Sequence, residues 1–194
     1  MDTIDNGNNE MDGTVEVDGT DIDIDREDLK FTDFRLSPKV IQALNEMNYT
    51  APTAVQKETI LPALEGKDLI VLSKTGSGKT AAFGIPAIQL LSDKKVHKVL
   101  ILAPTRELAV QVESEISTIA KHMRVKSLVV YGKHSIDVEI EKIKKGLDIL
   151  VGTPGRVLDH IEQENFDARA FDLVILDEAD RMLDMGFIDQ VDKI

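Results

Sequence analysis

At 194 residues the chain is long enough for one well-buried domain and short for two. It has no cysteine, which excludes a disulfide framework and a thiolate metal site, and its four histidines, His97, His122, His134 and His160, stand singly without ligand spacing and are expected at the surface. The formal charge of −12 sits at one end: residues 1–28 hold eleven of the 35 acidic side chains and one of the 23 basic ones, a formal −10, which leaves −2 for the remainder.

Residues 1–28 mix Asp, Asn, Gly and Thr with few large apolar side chains, so a disordered acidic tail is expected. That start lacks the basic and apolar regions of a signal peptide, and no stretch approaches the about 18 apolar residues of a membrane span, so a cytoplasmic protein is expected. Ordered structure is expected near Phe31, in one unit over residues 29–194. Ser37-Pro38 places a capping residue before a proline at the first helical position, and Val40, Ile41, Leu44 and Met47 recur at helical spacing. A second helix is expected from Thr53, which forms a capping box with Gln56; Pro62 should kink or end it before Gly66.

The apolar run Leu69-Ile70-Val71-Leu72 reads as a buried strand. It feeds Ser73-Lys74-Thr75-Gly76-Ser77-Gly78-Lys79-Thr80, a glycine-rich turn that opens a helix. Gly76 and Gly78 let successive backbone N–H groups point inward at phosphate oxygens. Lys79 would reach the β- and γ-phosphates of a nucleotide, and the Thr80 hydroxyl would ligate Mg2+. The general phosphate-loop pattern is missed once, with Ser73 in place of the first Gly.

Four further apolar runs, Val99–Ala103, Leu128–Tyr131, Ile149–Val151 and Leu173–Leu176, alternate with helical patterns near 106–122, 136–145, 156–163 and 181–193. Continuous apolar strands separated by helices predict an α/β fold, a mostly parallel sheet covered on both faces, with ligands bound beyond the carboxyl ends of the strands. The notable turns sit at those ends: the phosphate loop, Pro104-Thr105-Arg106-Glu107, Thr153-Pro154-Gly155-Arg156 and Asp177-Glu178-Ala179-Asp180. Beside a phosphate loop, Asp177 would hold Mg2+, partly through water, and Glu178 would polarise the water that attacks the γ-phosphate.

Asp177-Glu178-Ala179-Asp180 spells the name of the DEAD-box RNA helicases, and from about Phe31 the chain resembles the first RecA-like domain of that family. A segment ending at Gln56, the loop Ser73 to Thr80, Pro104-Thr105-Arg106-Glu107-Leu108-Ala109 and Thr153-Pro154-Gly155-Arg156 appear in the family's order, and the uninterrupted loop leans towards prokaryotic members. The resemblance implies an ATP-dependent RNA helicase, with ATP and Mg2+ as cofactors and the sugar-phosphate backbone of RNA as partner. It gives Gln56 the adenine edge and makes Phe31, by its distance before Asn48, the candidate to stack on the base. It assigns RNA contacts to Pro104, Thr105, Arg106, Gly132, Thr153, Pro154, Gly155 and Arg156, and coupling between domains to Asp180. Read alone, Gln56 is equally a helix cap, Phe31 a core residue, and both arginines partners of nearby acids.

Three departures stand out. Lys133 follows Gly132 where the family has a second Gly, and Asn48 and Ala54 replace the usual Gly and Pro before Gln56. The chain stops before the family's Ser-Ala-Thr strand and its second RecA-like domain, so little activity is expected of these residues alone. Two rivals remain open at this stage: a stand-alone ATP- and RNA-binding module, and a different phosphate-loop enzyme acting on DNA.

Overall fold

The computed structural model describes residues 15–18 and 29–194. Four residues of the expected tail depart from that reading: Val15–Asp18 forms β1, paired in parallel with β2 (Leu69–Leu72), Val15 opposite Leu69 and Asp18 opposite Leu72. The run Val-Glu-Val-Asp alternates with period two, and an edge strand offers it backbone partners. The rest of the expected tail lies outside the described residues.

After a single 3-10 turn at Phe31–Phe34, α1 (Pro38–Glu46) starts where the sequence predicts, with the Ser37 hydroxyl accepting from Val40 N at 3.4 Å. Helix α2 (Ala54–Leu64) runs through Pro62 instead of ending there. Only two more residues follow, so the missing proline N–H falls in the last turn, and the stop comes before Gly66 at φ +80°.

The other four apolar runs become β3 (Val99–Leu102), β4 (Ser127–Val130), β5 (Ile149–Gly152) and β6 (Leu173–Leu176), in the order β4-β5-β3-β6, every pair parallel. Helices α3 (Lys79–Ser92), α4 (Arg106–Ile119), α5 (Ile136–Lys144) and α6 (Pro154–Glu162) make the crossovers. The last predicted helix is two short ones, α7 (Ala179–Asp184) and α8 (Ile188–Val191), parted by Gly186 at φ +77°.

Alternate side chains divide the core into two layers. Val99, Ile101, Ile149 and Val151 join Val40, Leu44, Ile60, Ile85, Ile88 and Ile116 on one face, while Leu100, Leu102, Leu128, Val130 and Leu150 meet Val157 and Met182 on the other. Burying a Leu or Ile from water contributes about 1.5–3 kcal/mol, so these two layers hold the sheet. Among the described residues nothing covers one face of β2 and β6: Ile70, Leu72, Val174 and Leu176 are 44–57% exposed. Because the strands are parallel, the turns that follow β3, β4, β5 and β6 share one edge of the four-stranded sheet, as expected.

Candidate functional site

The phosphate loop follows β2 and ends at Gly78, the residue before α3. Gly76 and Gly78 have φ +79° and +93°, a region costly for any residue with a Cβ. A Cβ on Gly78 would lie 2.5 Å from Gln56 Nε2, so a side chain there would have to displace the Gln56 amide as well as hold a strained conformation. Lys79 Nζ donates to the Ser73 and Lys74 carbonyls at 2.8 and 3.1 Å, and the Ser73 and Ser77 hydroxyls are 2.9 Å apart. The lysine thus crosses the mouth of its own loop and satisfies its charge there.

Gln56 is 3% exposed and both ends of its amide are used. Its Oε1 accepts from Thr53 N at 3.0 Å, the helix cap read from the sequence, and its Nε2 donates to the Gly78 carbonyl at 3.1 Å. The second bond ties the start of α2 to the phosphate loop. Phe31, 5% exposed, packs edge-on against Phe34 at 6.3 Å and in a tilted arrangement against Tyr49 at 6.1 Å between ring centroids. Tyr49 in turn donates to Glu115 at 3.0 Å, and burial pushes its phenol up to about 12.

At the end of β6, Asp177 N donates to the Leu102 carbonyl at 2.9 Å, which continues the pairing with β3 by one residue. Burial of this 6%-exposed residue raises its carboxyl above the ordinary aspartate range and the neighbouring Glu178 adds to that, while Lys79 draws it back down. Glu178 takes a left-handed conformation, φ 52° and ψ 49°, and accepts from Arg181 at 3.0 Å. Thr80 is half-buried and Asp180 exposed. Among the described residues no group of three acidic or histidine side chains is arranged to hold a metal ion by itself. One carboxylate and one hydroxyl nevertheless suit Mg2+ that keeps waters and takes its other oxygens from phosphate.

Three turns carry the basic residues. Arg106 is exposed at the start of α4, behind Thr105, whose hydroxyl accepts from Leu108 N at 3.2 Å. Its guanidinium lies 4.6 Å from the Tyr131 ring centroid. Pro104 is buried behind it, Gly132 is open to solvent, and Thr153, Pro154 and Gly155 form the start of α6. Arg156, by contrast, is 11% exposed and turned inward: Nε donates to Glu139 Oε2 at 2.7 Å and Nη2 to the His134 carbonyl at 2.5 Å.

A family model described as DEAD/DEAH box helicase matches residues 53–194. The chain belongs to this family. It is 48% identical over 165 residues to the ATP-dependent RNA helicase DbpA of Bacillus subtilis, covering 84% of this chain and 34% of that protein. It is 45% identical over 166 residues to the ATP-dependent RNA helicase CshA of Listeria monocytogenes, covering 85% and 32%. The crystal structure of a DEAD box protein from Methanococcus jannaschii superimposes with a TM-score of 0.80 at 39% identity, over 84% of this chain and 45% of that one. The fold is therefore the α/β helicase domain expected from the motifs, and the chain spans about a third of the length of the curated relatives it matches.

Within this helicase domain the structure corrects one expectation and explains two departures. His160 is fully buried, not a surface residue; its Nε2 lies 2.9 Å from Glu139 and its Nδ1 3.1 Å from Asn165. Lys133 and Asn48 both have positive φ, 66° and 59°, the conformation a Gly at either place would adopt without strain. Sequence reasoning missed Glu139, the buried acid around which two of the basic turns meet. Its only outward sign was an acid in the first turn of a charged helix.

Proposed function

We propose that the chain is the ATP-binding domain of an ATP-dependent RNA helicase, working in the cytoplasm with a second RecA-like domain. The observation that carries this reading is the glycine-rich loop between β2 and α3, where Gly76 and Gly78 both have positive φ and Lys79 crosses the loop mouth to the Ser73 and Lys74 carbonyls. The backbone of Ser73, Lys74, Thr75, Gly76, Ser77 and Gly78 would cradle the phosphates once Lys79 exchanges the Ser73 and Lys74 carbonyls for phosphate oxygens. Thr80 and Asp177 would hold Mg2+, which supplies charge neutralisation on the phosphate oxygens. Glu178 orients the attacking water, and Asp180 faces the partner domain.

Gln56 reads the adenine edge by giving up its bond to Gly78, which links base recognition to opening of the loop. Phe31 presents a face to the base only by turning out of its contacts with Phe34 and Tyr49, so Gln56 carries most of the preference for adenine. Arg106 and the helix starts at Thr105 and Thr153–Gly155 meet RNA phosphates, which makes binding independent of base sequence and sensitive to salt. ATP hydrolysis measured with and without single-stranded RNA, with Glu178→Gln and Gln56→Ala alongside, tests this. RNA-stimulated turnover of the full-length protein should vanish in Glu178→Gln with ATP binding intact, and Gln56→Ala should weaken ATP but not GTP. RNA binding with no ATP turnover in the full-length protein would instead make it a binding module.

A further inference from the structure

Glu139 has no part in the nucleotide chemistry, yet it is the most heavily engaged acid among the described residues. Its side chain is fully buried on α5 and is met by polar groups from two segments, the turn after β4 and helix α6. Oε1 accepts from Tyr131 N at 3.4 Å and faces His134 Nδ1 at 3.1 Å; Oε2 accepts from Arg156 Nε at 2.7 Å and faces His160 Nε2 at 2.9 Å. The amide nitrogen of Asn165 donates to His160 Nδ1, which leaves the ring proton on Nε2, aimed at the carboxylate. Arg156 therefore supplies the balancing positive charge, and a buried carboxylate without it would be left uncompensated.

The connections extend outward. Arg156 also donates to the His134 carbonyl, the His134 ring sits 5.4 Å from that of Tyr131, and Tyr131 lies under Arg106. One buried acid thus joins the turn after β4, residues 131–134, to the turn after β5, residues 153–156, and through Tyr131 reaches the turn after β3. Gly152 makes the same junction tight, because a Cβ there would meet Val130 and Val157 side chains at 2.7 and 2.6 Å.

We propose that Glu139 is the positioning residue of the RNA-facing edge, holding Arg156 as an internal strut that sets the turns after β4 and β5 at a fixed spacing for successive phosphates. Arg156 then acts on RNA by fixing the free N–H groups at the start of α6, while its charge is spent on Glu139; Arg106 remains the exposed cation that meets a phosphate. This rests on the RNA-binding reading above.

The two roles for Arg156 separate in salt dependence. A direct phosphate contact on a single strand contributes about 0.7 to the slope of log Kd against log salt, whereas a strut contributes nothing to the slope. Lysine keeps the charge but lacks the two-pronged guanidinium that reaches Glu139 and His134 together. We would titrate a fluorescein-labelled oligouridine into the full-length protein and into Glu139→Gln, Arg156→Lys and the double variant, at several salt concentrations. Binding of a fluorescent ATP analogue to the distant loop reports folding. The expected result is a loss of roughly tenfold in RNA affinity for each single variant, the slope unchanged, and a double variant no worse than either single. Glu139→Gln is near-isosteric and keeps one acceptor oxygen, so it should fold; Arg156→Lys reads the same strut if it does not.

Tighter or unchanged RNA binding in Glu139→Gln, wild-type affinity in Arg156→Lys, or a salt slope lower by about 0.7 in Arg156→Gln, which removes the charge, would overturn the strut. A wild-type protein that does not bind the oligouridine at any salt would sink the RNA reading itself.

Discussion

The phosphate loop and the β4–β5 edge both pair a basic side chain with oxygen acceptors, but they do so in opposite settings. Lys79 rests on two backbone carbonyls of a loop whose residues 74–76 are exposed, while Arg156 rests on a fully buried carboxylate and a carbonyl across two turns. Carbonyl partners in an exposed loop are readily exchanged for phosphate oxygens or water. A buried ion pair is costly to break because either partner alone is left uncompensated. The backbone follows the same division. Positive φ in the loop is carried by Gly76 and Gly78, which tolerate a change of conformation, and at the β4 turn by Lys133, which needs its surroundings to hold it. The phosphate-loop end is built to rearrange and the β4–β5 edge to stay.

The largest expected effect tests the exchangeable side. Lys79→Ala should weaken ATP binding on the order of 100-fold, the loss of a charge-assisted contact to phosphate, yet shift the melting temperature little because its present partners are loop carbonyls. Fluorescent-nucleotide titration and thermal denaturation read the two quantities. A large fall in melting temperature would mean that the loop is braced by Lys79, and the comparison with Arg156 would collapse.

A smaller effect separates the two glycines. Gly78→Ala adds a Cβ 2.5 Å from Gln56 Nε2 on top of a φ of +93°, and should cost about 2–3 kcal/mol as well as disturb the Gln56 bond. Gly76→Ala meets nothing within 4 Å and should cost only the conformational part, about 1 kcal/mol. Equal losses in denaturant unfolding would show that Gln56 yields freely and does not link α2 to the loop.

The phosphate-loop end was readable in advance for a physical reason. Its residue types are fixed over a short span: a strand, two glycines, Lys79 and Thr80 are adjacent, and Asp177 closes another uninterrupted apolar run. The β4–β5 edge was not. Glu139 meets Arg156 and His160 seventeen and twenty-one residues away, and along the chain it is one of several charges on a helix that also carries Asp137, Glu141, Lys142 and Lys144. A buried acid has the same letter as an exposed one; what differs is the partner that the sheet order brings to it. Phe31 is a similar case, because its neighbours Phe34 and Tyr49 show a core position that its place before Gln56 does not. The strand Val15–Asp18 was hidden by composition, since two acids in four residues outweigh a period-two pattern in any averaged reading.

The smallest expected effect probes the fixed side at its most exposed point. Lys133 holds φ 66° in the turn that Glu139 anchors, and Lys133→Gly would relieve left-handed strain of about 1–2 kcal/mol while adding about 0.4–1 kcal/mol of chain entropy to the unfolded state. A net gain of about 0.5 kcal/mol, a rise of roughly 1–2 °C in melting temperature, is expected. With the turn already fixed from beneath, RNA affinity at moderate salt should change less than about twofold, and the salt slope should stay as it is. A slope lower by about 0.7 would reveal Lys133 as a phosphate contact in its own right. The exposed face of this turn would then add charge to RNA binding, while Glu139 supplies position from below.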